Sequence, residues 1–193
     1  MTVDLQRLNV KLYLEPGCLL SPEETFRVFS QWIPESEDEI LIDVADYSHI
    51  DRGPRTVLVG HDANYVLDNT DGRPGLLYGR KTDTNGPAAD RLRNAFSSAL
   101  RACRRLEVHP DLSGRARFRG SEALLVVNDR LRAPNTEETL EALRPDLDEF
   151  LARLYPGGPL RVQRDSDERE RLTLRIEARD VLPVCSLLDR LGG

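Results

Sequence analysis

The sequence lacks the features that mark exported and membrane-spanning proteins. None of its apolar runs approaches the roughly 20 residues needed to cross a bilayer. A signal peptide would begin with an uninterrupted apolar stretch, whereas the first ten residues contain Asp4 and Arg7. The three cysteines are far apart and form no CxxC pair, which favours reduced thiols in a reducing compartment. We therefore expect a soluble, cytoplasmic protein with no membrane partner.

Motifs of the common catalytic classes are also missing. The chain contains no GxxxxGK[ST], GxGxxG, HExxH or GxSxG sequence, and no set of Cys and His residues at zinc-binding spacing. This absence argues against a function that depends on nucleotide or zinc chemistry. The sequence identifies no cofactor.

Charge is plentiful but unevenly distributed. Residues 1–50 contain ten acidic and three basic residues, whereas residues 51–120 contain thirteen basic and eight acidic residues. These two segments would attract each other, either within the fold or between chains, which favours another protein chain or a second copy as the partner. The net charge of −6 argues against nucleic acid, which requires a basic footprint.

Hydrophobic periodicity predicts strands and helices in the order βαββββαββαββα. Leu8 to Leu14 alternates as a strand does, and Ser21 begins a helix that ends at Pro34. Ile40 to Val44 is predicted to be a strand with Ile40, Ile42 and Val44 on one side and Leu41, Asp43 and Ala45 on the other.

Turn and cap signals predict the remaining elements. Arg115–Arg119 and Ala123–Val127 are predicted to form a hairpin that turns at Gly120-Ser121. Asn135 is predicted to cap a helix that continues, kinked, through Pro145, and Asp180 to cap the last helix.

Strands that follow one another through short turns favour an α+β fold with a mainly antiparallel sheet and helices on one face. We expect one domain over residues 1–193. The order of elements suggests two pseudo-duplicated halves, at about residues 1–110 and 111–193, each resembling a ferredoxin-like βαββα unit in topology alone.

Candidate catalytic residues concentrate in the polar segment that follows the second predicted strand. Asp43 lies among apolar neighbours, where a carboxylate is costly unless it acts as a general base or pairs with an arginine such as Arg55 or Arg80. His61 can serve as an acid or base near neutral pH. Asp62 and Tyr65 are its polar neighbours in this candidate site.

The same segment suggests a metal site. Asp46 and His49, together with Asp43, His61 and Asp62, would supply the mixed nitrogen and oxygen ligands of a divalent ion that activates water. Their spacing is not diagnostic, and a polar turn with hydrogen-bonded histidines is the simpler explanation.

Six arginines form a candidate surface for a protein partner or an anion. Three lie on the outer face of the predicted long helix and three alternate along the following strand: Arg101, Arg104, Arg105, Arg115, Arg117 and Arg119. A solvated basic face is the simpler explanation.

Two hypotheses about function follow. The first is a non-enzymatic accessory protein that acts through protein–protein interaction, with another protein chain or a second copy of itself (a homo-oligomer) as the partner. The second is a small hydrolase or lyase, metal-assisted or acid/base, that acts on a small polar substrate through Asp43 and His61. We favour the first, because no nucleophile or metal motif supports the second.

Overall fold

The computed structural model describes residues 3–112, 114–157 and 160–192. Within them, eight strands, β1 to β8, span Leu8–Leu14, Leu41–Asp46, Pro54–Gly60, Ala63–Asp68, Gly75–Arg80, Phe118–Val127, Leu160–Arg164 and Leu172–Ala178. Four α-helices, α1 to α4, span Pro22–Glu35, Ala88–Val108, Glu137–Leu154 and Val184–Arg190. A short 3₁₀ helix, Pro110–Leu112, follows α2.

All eight strands form one antiparallel sheet in the order β2-β3-β4-β5-β1-β6-β8-β7. The predicted α+β class with an antiparallel sheet is confirmed. β1 and β6, the first strands of the two halves of the chain, pair with each other, and in each half this strand is followed by a helix and then by strands that return beside it. The first half returns through four strands and the second through two, so the ferredoxin-like description of the halves stays a prediction.

The helices lie on one face of the sheet. Along β1, Leu8, Val10 and Leu12 belong to a core that also contains buried residues of all four helices. The intervening residues Asn9, Lys11 and Tyr13 point to the opposite face, because side chains alternate along a strand. We call this opposite side the open face. None of the described helices is long and apolar enough to cross a membrane.

Two local signals in the helices are confirmed. Ser21 caps α1 by accepting the Glu24 N–H at 3.1 Å, and the Glu24 carboxylate accepts the Ser21 N–H in return. α3 runs through Pro145 as one helix, since leucines on both sides of the proline keep the same buried phase.

The predicted hairpin at Gly120-Ser121 is wrong, because β6 continues through these residues, with a register shift against β1 between Phe118 and Ala123. Gly120 is needed for a close approach between chain segments rather than for a turn. A Cβ added at Gly120 would lie 1.8 Å from the Leu182 carbonyl oxygen. The Tyr155 hydroxyl also donates to the Gly120 carbonyl oxygen at 2.9 Å. β6 begins at Phe118, so Arg115 and Arg117 precede the strand, although the exposed arginines alternate with buried Ala116 and Phe118 as predicted.

The cap predicted for α3 is displaced by one residue. Thr136 is the cap and accepts the Thr139 N–H at 3.2 Å. Asn135 is buried, and its amide donates to the carbonyl oxygens of Asp165 and Asp167. Asn135 thus fixes the turn between β7 and β8.

Asp180 does not cap α4. The helix begins at Val184, with Pro183 as the cap residue. A residue that precedes proline is disfavoured in helical conformation. Leu182 precedes Pro183, so the helix cannot begin at Asp180 and continue through Leu182.

Candidate functional site

β2 is an edge strand whose side chains are not arranged as predicted. A register shift between Leu41 and Asp43 marks a bulge against β3. Leu41 and Val44 are buried, whereas Ile40 and Ile42 are exposed. The expected common face of Ile40, Ile42 and Val44 is therefore wrong, because the bulge changes the alternation.

Asp43 lies on the surface and not on a buried apolar face. Its carboxylate accepts the N–H of Val44 at 2.8 Å, and no ion pair joins it to Arg55, Arg80 or any other described residue. The bulge explains the difference, since it turns Asp43 away from the face on which Leu41 is buried.

The structure does not bring Asp43 and His61 together. The His61 N–H donates to the carbonyl oxygen of Ile40, and Asp43 lies three positions further along β2. At about 3.3 Å per residue, this places the two backbones roughly 10 Å apart along the strand. His61 and Asp43 are both exposed, so the acid/base pair that the enzyme hypothesis requires is not formed.

The other candidate catalytic residues are held in separate polar contacts. Asp62 accepts from the Thr82 hydroxyl at 2.9 Å and lies 3.4 Å from His61, and the Thr82 contact lowers the pKa of Asp62. The buried Tyr65 hydroxyl donates to Glu39 at 2.9 Å. Burial, with the Glu39 charge, raises the pKa of Tyr65, so this phenol stays protonated.

Asp46 and His49 lie in the turn that follows β2. The Asp46 carboxylate accepts the Ser48 N–H at 2.8 Å, and this bond lowers the pKa of Asp46. Across the described ranges, no cluster of three or more His, Cys, Asp or Glu residues is suited to a metal ion. The proposed metal pair therefore has no third ligand among these residues.

Large apolar side chains are exposed along this edge. Four of them lie within eleven residues of chain, and we call them the edge patch: Ile40 at 67% exposure, Ile42 at 56%, Tyr47 at 40% and Ile50 at 38%. Six exposed carboxylates accompany them between residues 37 and 51, a stretch without lysine or arginine: Glu37, Asp38, Glu39, Asp43, Asp46 and Asp51. We call these six carboxylates the acidic frame of the edge patch.

The six predicted arginines do not form one basic surface. Four make ion pairs: Arg104 with Glu107, Arg105 with Glu35, Arg115 with Glu24, and Arg119 with Glu15 and Glu122. Arg105 also stacks on Trp32, with its guanidinium 4.4 Å from the ring centre. The side chains of Arg101 and Arg117 make no hydrogen bond or ion pair with a described residue, and Arg101 lines a cavity beside α2.

A buried ionic network on the open face was missed. Lys11 of β1 is almost fully buried, and its ammonium lies 2.7 Å from both Asp68 and Asp71. Asp71 lies in the β4–β5 turn, which folds across the sheet, and also accepts from the Tyr13 hydroxyl at 3.0 Å. The signal was Lys11 itself: it is one of only two lysines in the sequence, and it lies between Val10 and Leu12 in an alternating strand.

The network continues across the centre of the sheet. Arg73 stacks on Tyr13 at 3.9 Å and donates two hydrogen bonds, of 2.6 and 2.5 Å, to Glu122 of β6. This fork of donors lowers the pKa of Glu122, and Arg175 of β8 also donates to Glu122, at 3.4 Å. The network joins the two halves of the sheet and holds its charges in pairs.

The comparisons with known proteins give no relative from which a function can be transferred. No protein-family model matches the chain, and no curated protein matches it significantly. The residues themselves therefore carry the functional argument.

Proposed function

We propose that this is a non-enzymatic interaction protein that binds a basic, partly apolar segment of another protein along β2. The observation that carries this proposal is the edge patch. An exposed group of large apolar side chains with a polar rim is typical of a protein–protein interaction site, whereas single exposed apolar residues are ordinary.

The acidic frame identifies the chemistry of the partner. The six exposed carboxylates outnumber the nearest basic residues along the chain, Arg52 and Arg55, and would repel the same surface of a second copy. A partner segment that carries lysine or arginine beside its apolar residues would be attracted and steered to the patch.

Recognition is proposed to use side chains rather than an added strand. The Tyr47 N–H points to β3, where it donates to the Arg55 carbonyl oxygen at 2.7 Å. Because hydrogen-bonding directions alternate in an antiparallel pair, the Val44 N–H points away from β3. The Asp43 carboxylate accepts this N–H, and a bulge interrupts the strand next to it. Both features discourage backbone pairing at an edge.

The proposal is tested by photo-crosslinking in the native cytosol. A photoreactive phenylalanine analogue replaces Ile42, and a matched variant carries it at Val181, which is exposed but far from the patch in sequence. We expect a discrete adduct at position 42 alone, joined to a basic and apolar segment. An adduct with a second copy of the chain, or equal labelling at both positions, contradicts the proposal.

Purified peptides give a second measurement. Two peptides of equal length, one alternating leucine with lysine and the other leucine with glutamate, are titrated by fluorescence anisotropy. The lysine peptide is expected to bind more tightly, by about tenfold, and to lose this advantage when Ile42→Ser and Asp46→Asn are combined. Equal affinity for both peptides rules out the acidic frame as the recognition element.

A further inference from the structure

We infer that a basic cleft beside α2 binds a phosphate monoester of a small polyhydroxylated molecule. The cleft is a cavity of about 540 Å³ between α2 and the ends of β1 and β5. Five arginines line it: Arg7, Arg80, Arg91, Arg93 and Arg101. None of the described residues that line it is acidic.

Two of these arginines are held in place by residues that do not line the cavity. Arg91 pairs with Asp4 and donates to the Leu5 carbonyl oxygen at 3.1 Å, and Arg7 pairs with Asp83 at 3.3 Å. Such contacts fix the direction of a guanidinium before a ligand arrives, which lowers the cost of ordering on binding. Arg101 has no such partner among the described residues, so its donors are available to a ligand.

The backbone around the cleft is also specialised. Arg7, with φ of 52°, is the one non-glycine residue in the left-handed region among those described. Conformations of this kind cost free energy and concentrate at functional sites. The buried Gln6 side chain fixes the backbone of Thr84, which lines the cleft: it accepts the Thr84 N–H at 2.8 Å and donates to the Thr84 carbonyl oxygen at 3.0 Å.

Charge balance favours one phosphate group over a polyanion. The lining arginines share four carboxylates, Asp4, Asp62, Asp83 and Asp90, and Arg132 also pairs with Asp83. Arg132 also pairs with Asp129, so six guanidinium groups against five carboxylates leave one positive charge. A phosphate monoester carries about −1.5 to −2 at pH 7, which is close in size to this surplus, whereas the charge of a polyanion far exceeds it.

The adjoining cavity indicates the rest of the ligand. It has a volume of about 500 Å³ and shares Tyr78, Arg80 and Arg101 with the first. The wall of this second cavity contains five carboxylates that are acceptors for hydroxyl groups: Glu35, Glu37, Asp38, Glu39 and Asp62. Trp32, the indole of this wall, is buried and covered by Arg105, so no exposed indole face is offered for stacking a nucleobase.

Calorimetric titration of the full chain tests the inference, with inorganic phosphate, glucose 6-phosphate and glucose as probes. We expect both phosphates to bind, glucose 6-phosphate more tightly, and glucose not to bind. Arg101→Met is expected to weaken phosphate binding about tenfold or more. Arg104→Met is the matched control, since Arg104 is exposed one turn further along α2 and does not line the cavity.

Other sources of phosphate are separated by two further probes. Tighter binding of a single-stranded oligonucleotide, with a salt dependence that reports several phosphates, overturns the inference in favour of nucleic acid. Binding to vesicles that contain phosphatidic acid, without binding of soluble monoesters, overturns it in favour of a lipid headgroup. Absence of phosphate binding at millimolar concentration, or equal losses in the two variants, also overturns it.

Discussion

The Lys11 ammonium lies 2.7 Å from the Asp68 carboxylate, although 57 positions separate the two residues in the chain. Both side chains are nearly inaccessible to water. This pair, together with Asp71, ties β1 to β4 and to the turn that follows β4. Lys11 thus serves the structure of the sheet from the face that the helices leave uncovered.

Lys11→Met is expected to destabilise the protein by about 3–5 kcal/mol, because it leaves the buried Asp68 carboxylate without its cation. Urea unfolding followed by circular dichroism measures this loss. Arg153→Met removes a cation from an exposed ion pair of 3.9 Å and should change the free energy of unfolding by less than about 0.5 kcal/mol. Similar losses in both variants would contradict the structural role of Lys11.

Gly120→Ala is expected to destabilise the protein by about 1–3 kcal/mol or more, because the new methyl group would meet the Leu182 carbonyl oxygen at 1.8 Å. Backbone must move to relieve this contact. Gly79→Ala is the matched control within a strand, since a Cβ there comes no closer than 3.3 Å to the flexible Asn9 side chain. Thermal unfolding of the two variants is compared, and equal midpoints would count against the close approach at Gly120.

Local signals predicted much of the fold. β1 begins and ends at the predicted residues, and the Ser21 capping box depends on neighbours within one turn. The signals that failed depend on distant contacts. The sequence around Gly120 favours a turn, but β6 continues through Gly120, which packs closely against Leu182.

The candidate site was harder to predict for the same reason. Alternation assigned Asp43 to a buried face, and one bulge on β2 exposes it instead. The arginines were grouped by sequence spacing, yet only Arg101 reaches the cleft, where Arg7 and Arg80 join it from other elements. Periodicity cannot reveal such a group, because its members meet only after the sheet has formed.

The pKa of Glu122 predicts how the free energy of unfolding depends on pH. Arg73 lowers the pKa of the Glu122 carboxyl in the folded protein relative to its ordinary value of about 4.3. The stabilisation is therefore complete above the unfolded pKa and is lost as the pH falls through the lowered folded pKa. Glu122→Gln is expected to be less stable than the wild type at pH 7, by about 1 kcal/mol or more, and to lose less stability between pH 5 and pH 3.

Glu149→Gln is the control for this pH profile. Glu149 is exposed on α3, where it lies 3.9 Å from Arg153. The stability that this variant loses between pH 5 and pH 3, measured by urea unfolding at each pH, should equal the loss of the wild type. A Glu122→Gln profile parallel to that of the wild type would show that the Arg73 pair does not contribute to acid sensitivity.

Asp43→Ala tests whether this carboxylate protects the edge of the sheet. The substitution removes the acceptor from the outward Val44 N–H, and a free N–H on an edge strand can pair with another chain. We expect concentration-dependent self-association, measured by size-exclusion chromatography with light scattering. Asp51→Ala removes the same charge nearby from an exposed residue that accepts no backbone N–H of β2. If both variants stay at the wild-type mass, the carboxylate of Asp43 does not protect the edge; if both associate equally, the lost charge alone explains the effect.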